Sequence, residues 1–347
     1  MKKRYARMKI ALIGFGNVGQ GLAQILCDKA ETLRAADGFV PQIVAVATRR
    51  QGTLYHPAGL NLELLLAAAA QGQLSAYPDM EGLHRNWAVP EIIRQSNADV
   101  VIEVTPTNLQ TAHPALDYCY LALEHGKHLV LANKGPVVLA YHELMRRARQ
   151  AGKQVRFEAT VMAGTPALRT GAQNLAGCYI FAMRGILNGT TNYMLSQMEN
   201  GASYADALAQ AQNLGYAETD PRGDVEGWDT AAKAIILAQS LFNANLTIDQ
   251  LEVEGITGLT TADMLDAHRA GERWKLIAQI TPTGGSVRPV RVPLADPLAH
   301  VSGAINAITY TTDLLGEVTL VGPGAGQLTT GFGLLSDLLD IHRTASS

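Results

Sequence analysis

The hexapeptide Gly14-Phe15-Gly16-Asn17-Val18-Gly19 constrains this chain more than any other stretch. Before it, MKIALIG (8–14) is a short apolar run that reads as a buried strand. After it, Val18, Leu22, Ile25, Leu26 and Ala30 recur at helical spacing. A GxGxxG pattern alone is a weak sign, but between a strand and a helix it gains weight as a dinucleotide-binding turn. Gly14 permits the tight turn, Gly16 lets the backbone approach a pyrophosphate, and Gly19 lets helix and strand pack closely. The first helical N–H groups then face the phosphates.

Alternation continues downstream. VPQIVAVAT (40–48), ADVVIEVTP (98–106), KHLVLAN (127–133) and QVRFEAT (154–160) read as strands. Helical patterns fall at 60–71, 91–97, 114–126 and 141–152. Such alternation implies a parallel sheet with helices on both faces. After about residue 160 the rhythm changes to apolar runs punctuated by Gly and Thr. A long helix is expected over 225–242, an alternating strand over 283–294, a hairpin over 305–322 and a last amphipathic helix over 329–341. The expected class is α/β. A Rossmann-type doubly wound nucleotide-binding domain spans 1–150 and is completed by 320–347. An α+β substrate-binding and dimerisation domain with a mixed sheet spans 151–319.

Net charge is −3 and no basic stripe dominates, so nucleic acid is not an expected partner. Cys27, Cys119 and Cys178 are far apart and form no CxxC pair, which suits a reducing cytoplasm rather than a disulfide framework. The basic head MKKRYA precedes an apolar run too short for a signal peptide. No stretch reaches the roughly 18 apolar residues of a membrane span.

The second strand ends in AVATRRQG (45–52), where an NAD site usually carries an acid. Arg49 and Arg50 stand there instead and suit a 2′-phosphate, which favours NADP over NAD; as ordinary surface charge they would favour neither. Lys134 lies just past an inner strand, where ligands of open α/β sheets bind, and Thr105 ends the preceding strand on the same rim. By position alone Lys134 equally fits a solvated loop lysine.

LGYAETDPRGDVEGWDTAAKA (214–234) places Glu218, Asp220, Asp224, Glu226 and Asp229 within twelve positions, with Arg222 among them and Lys233 after them. A solvated loop is the ordinary reading of such a cluster. Asp229 and Lys233, however, are four apart and share a helix face, and the helix runs on as AIILAQSLF without a charge. Charges at the start of a buried helix need partners or a ligand. Asp224 would also serve as an N-cap. An ammonium held among carboxylates near a nicotinamide can stabilise a carbonyl oxygen and deliver a proton to it. The remaining acids can grip a substrate α-amino group.

GFGNVG, VIEVTPTN, GKHLVLANKGPV, FEATVMAGTP, GILNGTTNYML, LGYAETDPRGDVEGWDTAAK and VGPGAG…TTGFGLLSDLLDI, in this order, resemble homoserine dehydrogenase over nearly the whole chain. The resemblance implies NAD(P)-dependent interconversion of L-homoserine and L-aspartate 4-semialdehyde, in threonine, methionine and isoleucine synthesis. It implies Lys233 as proton donor, Lys134 as the second active-site lysine, and Glu218, Asp229, Asp224 and Thr190 at the substrate. Cofactor contacts are implied at Asn17, Val18, Thr105, Gly215 and Gly326, with Lys134 and Glu218 close by. A monovalent cation, usually sodium, is implied at Glu158, Val161, Ala163 and Thr165. Met162 stands where the family often has Gly. Members are usually dimeric through the second domain's sheet. Many also carry a C-terminal regulatory ACT domain, which this sequence does not show, so no threonine feedback through one is expected.

Two rivals share the glycine loop. A phosphorylating semialdehyde dehydrogenase needs a cysteine activated by a base. Cys27 and Cys119 fall within helical patterns, and Cys178 lies in an apolar run without an acid–base partner nearby. A non-catalytic nucleotide sensor on the same fold has no need of the lysine and acid set.

Overall fold

The structure is a computed structural model that describes residues 7–345, so the basic head lies outside the described residues. Two compact units emerge, Met1–Gly164 with Gly326–Ser347, and Thr165–Ala325.

The first unit contains β1 (Arg7–Ile13), α1 (Asn17–Asp28), α2 (Ala30–Asp37), β2 (Val40–Ala47), β3 (Thr53–Tyr55), α3 (Leu62–Ala70), β4 (His84–Arg85), α4 (Val89–Gln95), β5 (Val100–Glu103), α5 (Ala115–Glu124), β6 (His128–Leu131), α6 (Lys134–Ala151) and β7 (Val155–Arg156). The sheet order is β4-β3-β2-β1-β5-β6-β7. β2, β1, β5, β6 and β7 run parallel, and β3 and β4 add an antiparallel edge. The parallel strands are apolar on both faces, as in Ile10 to Ile13 and Val100 to Ile102, which are buried throughout. The chain leaves β1 to one side for β2 and returns on the other side as β5. The crevice beyond the carboxyl ends of β1 and β5 is therefore a topological switch point.

The first unit extends to Gly164, past the expected limit at 150. β7 pairs with β6, and the backbone N–H of Glu158 donates to Asp337 Oδ2 at 2.9 Å. Only Val155 and Arg156 of the expected strand 154–160 are extended; Glu158–Thr160 form a 3-10 turn. The helix expected at 141 begins at Lys134, with a kink at Ala140. Gly135 and Pro136 obscure this start, yet Pro136 sits in the first turn, where a missing N–H costs no helical bond.

The second unit contains α7 (Ala167–Arg169), β8 (Ile180–Ile186), α8 (Gly189–Glu199), α9 (Tyr204–Asn213), α10 (Arg222–Val225), α11 (Trp228–Phe242), β9 (Glu252–Val253), α12 (Thr261–Arg269), β10 (Glu272–Thr281), β11 (Gly284–Pro293), β12 (Ile305–Thr312) and β13 (Gly316–Pro323). Its mixed sheet runs β13-β12-β8-β10-β11-β9, antiparallel except for β11 with β9. β13 pairs with β12 along its length, which keeps residues 320–323 in this unit rather than in the first. Sequence reasoning passed over β10. Four consecutive residues of it, Lys275 to Ala278, are buried, so it lacks the alternation of a half-exposed strand. α11 is buried from Thr230 to Gln239, as its uncharged run implies.

The chain then returns to the first unit as α13 (Gln327–Ala345). This helix crosses α1 at glycines: a Cβ on Gly331 would stand 2.7 Å from the backbone of Gly21 and Leu22. Glycine inside a helix costs about 1 kcal/mol against alanine. Here it lets two backbones approach too closely for any side chain.

Candidate active site

In the first unit the glycine loop has the sterics its spacing implies. Gly14 has φ +102°, and a Cβ there would lie 2.8 Å from the Val104 carbonyl. Its N–H donates to the Ala47 oxygen at 2.8 Å, joining the loop to the end of β2. A Cβ on Gly19 would meet the Gly14 oxygen at 2.9 Å. Gly16 differs from both: a Cβ there would meet nothing within 4 Å. It occupies the N-cap position of α1 with no side-chain cap bond, so first-turn N–H groups keep their capacity for an anion. Phe15 is buried and its carbonyl accepts from Gln20 Nε2, while Asn17 is exposed and Val18 half-buried. The loop thus offers an open, donor-rich face suited to a pyrophosphate. Arg49 and Arg50 are exposed on the turn after β2. Gly326, at φ +130°, leads into α13.

Beyond the ends of β5 and β6 lies a buried polar network. Glu103, the last residue of β5, is fully buried. Its Oε1 accepts both the backbone N–H of Thr105, at 3.0 Å, and the Thr105 hydroxyl. Asn133 Nδ2 donates to Thr105 Oγ1 at 3.3 Å, and Asn133 Oδ1 caps α6 by accepting from the Gly135 N–H. The backbone N–H of Lys134 donates to Thr107 Oγ1 at 3.3 Å. Burial pushes the Glu103 carboxyl up to about 7, against the Thr105 and Asn133 donors that pull it down. Glu103 Oε2 is buried and has no hydrogen-bond partner among the described residues. Sequence reasoning saw Thr105 and Lys134 but missed Glu103, whose apolar neighbours in VVIEV carry no sign of its role.

In the second unit the acidic stretch resolves into distinct environments. Lys233 is 7% exposed, and its Nζ lies 2.7 Å from Asp229 Oδ2 and 2.6 Å from the Leu187 carbonyl. An ammonium has three donors, so one direction is left for a ligand. Asn188 Nδ2 donates to Asp224 Oδ1 at 2.6 Å and to Asp229 Oδ2 at 3.0 Å. Burial raises the Asp224 carboxyl and the Asp229 charge adds to this, while the Asn188 amide and the Lys233 ammonium oppose it. Asp224 is not the N-cap of α11. That helix starts later, at Trp228 after Gly227 with φ +90°, and the Asp224 carboxylate turns to Asn188 instead. Thr190 is buried in the first turn of α8 and its hydroxyl donates to the Tyr216 carbonyl at 2.6 Å.

Glu218 is exposed on the loop after α9, and its backbone carbonyl accepts from Gln212 Nε2 at 3.1 Å. It does not join Lys233, Asp224 and Asp229. Gly215, with φ +74°, lies on the same loop. Asp220 pairs with Arg222, and Glu226 accepts from Trp228 Nε1, all at the surface.

Residues 14–158 match the family model for the homoserine dehydrogenase NAD binding domain, and 166–339 match that for homoserine dehydrogenase. An NAD(+)-dependent homoserine dehydrogenase from Pseudomonas canavaninivorans is 41% identical over 97% of each chain. A homoserine dehydrogenase from Methanocaldococcus jannaschii is 40% identical over 97% of this chain and 99% of its own. The chain belongs to the homoserine dehydrogenase family. Among solved structures, a hyperthermophilic archaeal homoserine dehydrogenase in complex with NADPH aligns with a TM-score of 0.84 at 28% identity, over 98% of both chains.

As a homoserine dehydrogenase the chain is an NAD(P)-dependent oxidoreductase. The thiol-dependent rival finds no support, because burial raises the pKa of Cys119 well above its ordinary value and raises that of Cys27 as well. No helix among the described residues is long and apolar enough to cross a membrane. The segment implied to hold a cation has an unusual backbone. Glu158, Val161 and Ala163 are buried, and Met162 and Ala163 take φ +56° and +53°. Glycine reaches that conformation without strain, whereas Met162 and Ala163 hold it as L residues. Thr165 opens the second unit; its carbonyl accepts from the Ala167 N–H at 2.7 Å and its hydroxyl donates to the Pro323 carbonyl at 3.0 Å.

Proposed function

We propose that Lys233 is the proton donor in the reduction of L-aspartate 4-semialdehyde to L-homoserine, and accepts that proton in the reverse direction. The observation that carries this is a buried ammonium anchored by Asp229 and the Leu187 carbonyl, with one donor direction left over. A bound nicotinamide supplies the hydride. As charge builds on the aldehyde oxygen, Lys233 Nζ hydrogen-bonds to it and releases a proton, forming the O–H bond. Asp229, 2.7 Å from Nζ, orients the lysine beforehand. Asp224 and Asp229 offer negative charge to the substrate α-ammonium, Thr190 lines the substrate pocket, and Glu218 is a further substrate-binding acid. Lys134 serves the cofactor rim with Thr105. Asn17, Val18, Gly215 and Gly326 complete the cofactor's surroundings.

NADP is the preferred cofactor in this reading, because Arg49 and Arg50 follow β2 where an acid would favour NAD. Where a monovalent cation binds, sodium by preference, the buried Glu158 carboxylate and the carbonyls of Val161 and Ala163 would hold it, with the Thr165 carbonyl as the remaining ligand that the resemblance implies. The protein works as a homodimer. Tyr179, Phe181, Leu314 and Leu315 of the second unit are all at least half exposed, an apolar area suited to a partner. Unpaired Cys27, Cys119 and Cys178 suit the cytoplasm.

The deciding experiment measures homoserine oxidation by wild type and Lys233→Met with NADP and NAD, each with and without sodium or potassium. Loss of kcat by roughly a hundredfold or more with cofactor binding retained is the expected outcome. Near-normal kcat in folded Lys233→Met would refute the assignment.

A further inference from the structure

The side chain of Asn188 touches three parts of the active-site architecture at once. At the N-cap of α8, its Oδ1 accepts from the Thr191 N–H at 2.9 Å. Its Nδ2 donates to Asp224 at 2.6 Å and to Asp229 at 3.0 Å. Asn188 is 4% exposed. Its amide orientation has no alternative. A flip would set the oxygen against two carboxylates and the NH2 against a helix N–H. The oxygen of Asp229 that takes Asn188 is also the one that holds Lys233. The preceding residue, Leu187, gives Lys233 its second acceptor.

We propose that Asn188 is the positioning residue of this site: it bridges Asp224 and Asp229 and fixes the Asp229 oxygen that orients Lys233. This rests on the reading of Lys233 and the two carboxylates given above. The titratable groups facing the amide are Asp224 from α10 and Asp229 and Lys233 from α11. A neutral double donor is the chemistry this place requires. A carboxylate would add a third negative charge, and a hydroxyl has one donor and too short a reach to bridge both acids. The helix cap and the bridge also couple folding to function, because the hydrogen bond that starts α8 aims the NH2 at the acids.

Asn188→Asp and Asn188→Ser separate the two roles, because Asp and Ser are both good N-caps and neither can bridge the carboxylates. For each variant, homoserine oxidation is measured from pH 5.5 to 9.5, together with NADPH affinity and thermal unfolding. For Asn188→Ser the expected results are a fall in kcat/KM at neutral pH of roughly tenfold or more, an acidic limb moved upward by about one pH unit, and NADPH affinity within about twofold of wild type. The limb moves upward because Asp224, without the Asn188 donor that opposes its raised pKa, holds its proton to higher pH. Asn188→Asp shifts it further and loses more activity. An unchanged pH profile in Asn188→Ser, or a loss of equal size at every pH, would overturn the inference. If Asn188→Ser unfolds, Asn188→Asp decides by the same criteria. Lys233→Met run alongside keeps the two ideas apart: its near-normal turnover sinks the proton-donor reading, whereas an inactive Lys233→Met beside a wild-type-like Asn188→Ser sinks only the role of Asn188.

Discussion

Glu103→Gln is expected to make the protein more stable, and only above about pH 5. The carboxyl moves from an ordinary 4.5 in the unfolded chain to about 7 in the folded one, with burial as the main cause. A raised carboxyl pKa means the folded state keeps a proton that the unfolded state has shed. Stability therefore falls as pH rises from the unfolded value through the folded one. At about 1.4 kcal/mol per pH unit, the full cost above pH 7 is about 3 kcal/mol. Glutamine is close in shape to the protonated acid and cannot ionise. Its carbonyl can still accept from the Thr105 N–H and hydroxyl, so Thr105 and the rim around it should stay in place. Urea unfolding of both proteins at several pH values between 4 and 8.5 reads the effect directly. Groups that titrate alike in both chains cancel in the difference. The gap should be small at pH 4, open between pH 5 and 7, and level near 3 kcal/mol at pH 8. Parallel stability curves would refute the claim that Glu103 is buried with a raised pKa. A gap that opens below pH 4 would assign the wrong sign to its environment.

Gly16→Ala should leave the melting temperature nearly unchanged, since its Cβ meets no atom within 4 Å, yet weaken NADP(H) binding by roughly tenfold or more in calorimetry. Gly331→Ala should do the reverse. Its Cβ would stand 2.7 Å from the Gly21 backbone, so about 1–3 kcal/mol of stability is lost despite alanine's better helix propensity, as a thermal melt would show. Arg49→Ala with Arg50→Ala should lower kcat/KM for NADP by roughly tenfold and leave NAD almost unaffected, as paired cofactor titrations would show. Phe181→Asp should shift the protein toward a monomer in light scattering, because a charge then replaces a ring that is 50% exposed on the second unit.

These residues also show where sequence reasoning works and where it stops. The glycine loop was readable because each glycine answers a local steric demand: at Gly14 and Gly19 a Cβ would collide with backbone, and at Gly16 space stays open. The buried course of α11 was readable because a helix face repeats within a few residues. The start of α11 was not. Asp224 has the composition of a cap, but its carboxylate is drawn to an amide 36 residues away, and the chain passes through Gly227 before the helix begins. Asn188 was invisible for the same reason, since the acids it bridges lie 36 and 41 residues further along the chain. Glu103 was missed on other grounds: its partner Thr105 is only two residues away, but nothing in VVIEV shows that the carboxyl is fully buried. The turn at Glu158 to Ala163 lies further out of reach, since carbonyl direction leaves no trace in side-chain chemistry; the one hint was Met162 at a place suited to glycine. What remains illegible is thus the buried polar contact between distant segments. Such contacts are costly to leave unmade. Asn188 shows why that matters for function: one amide satisfies a helix start and two acids together, so replacing it disturbs the charge around Lys233 even where the fold survives.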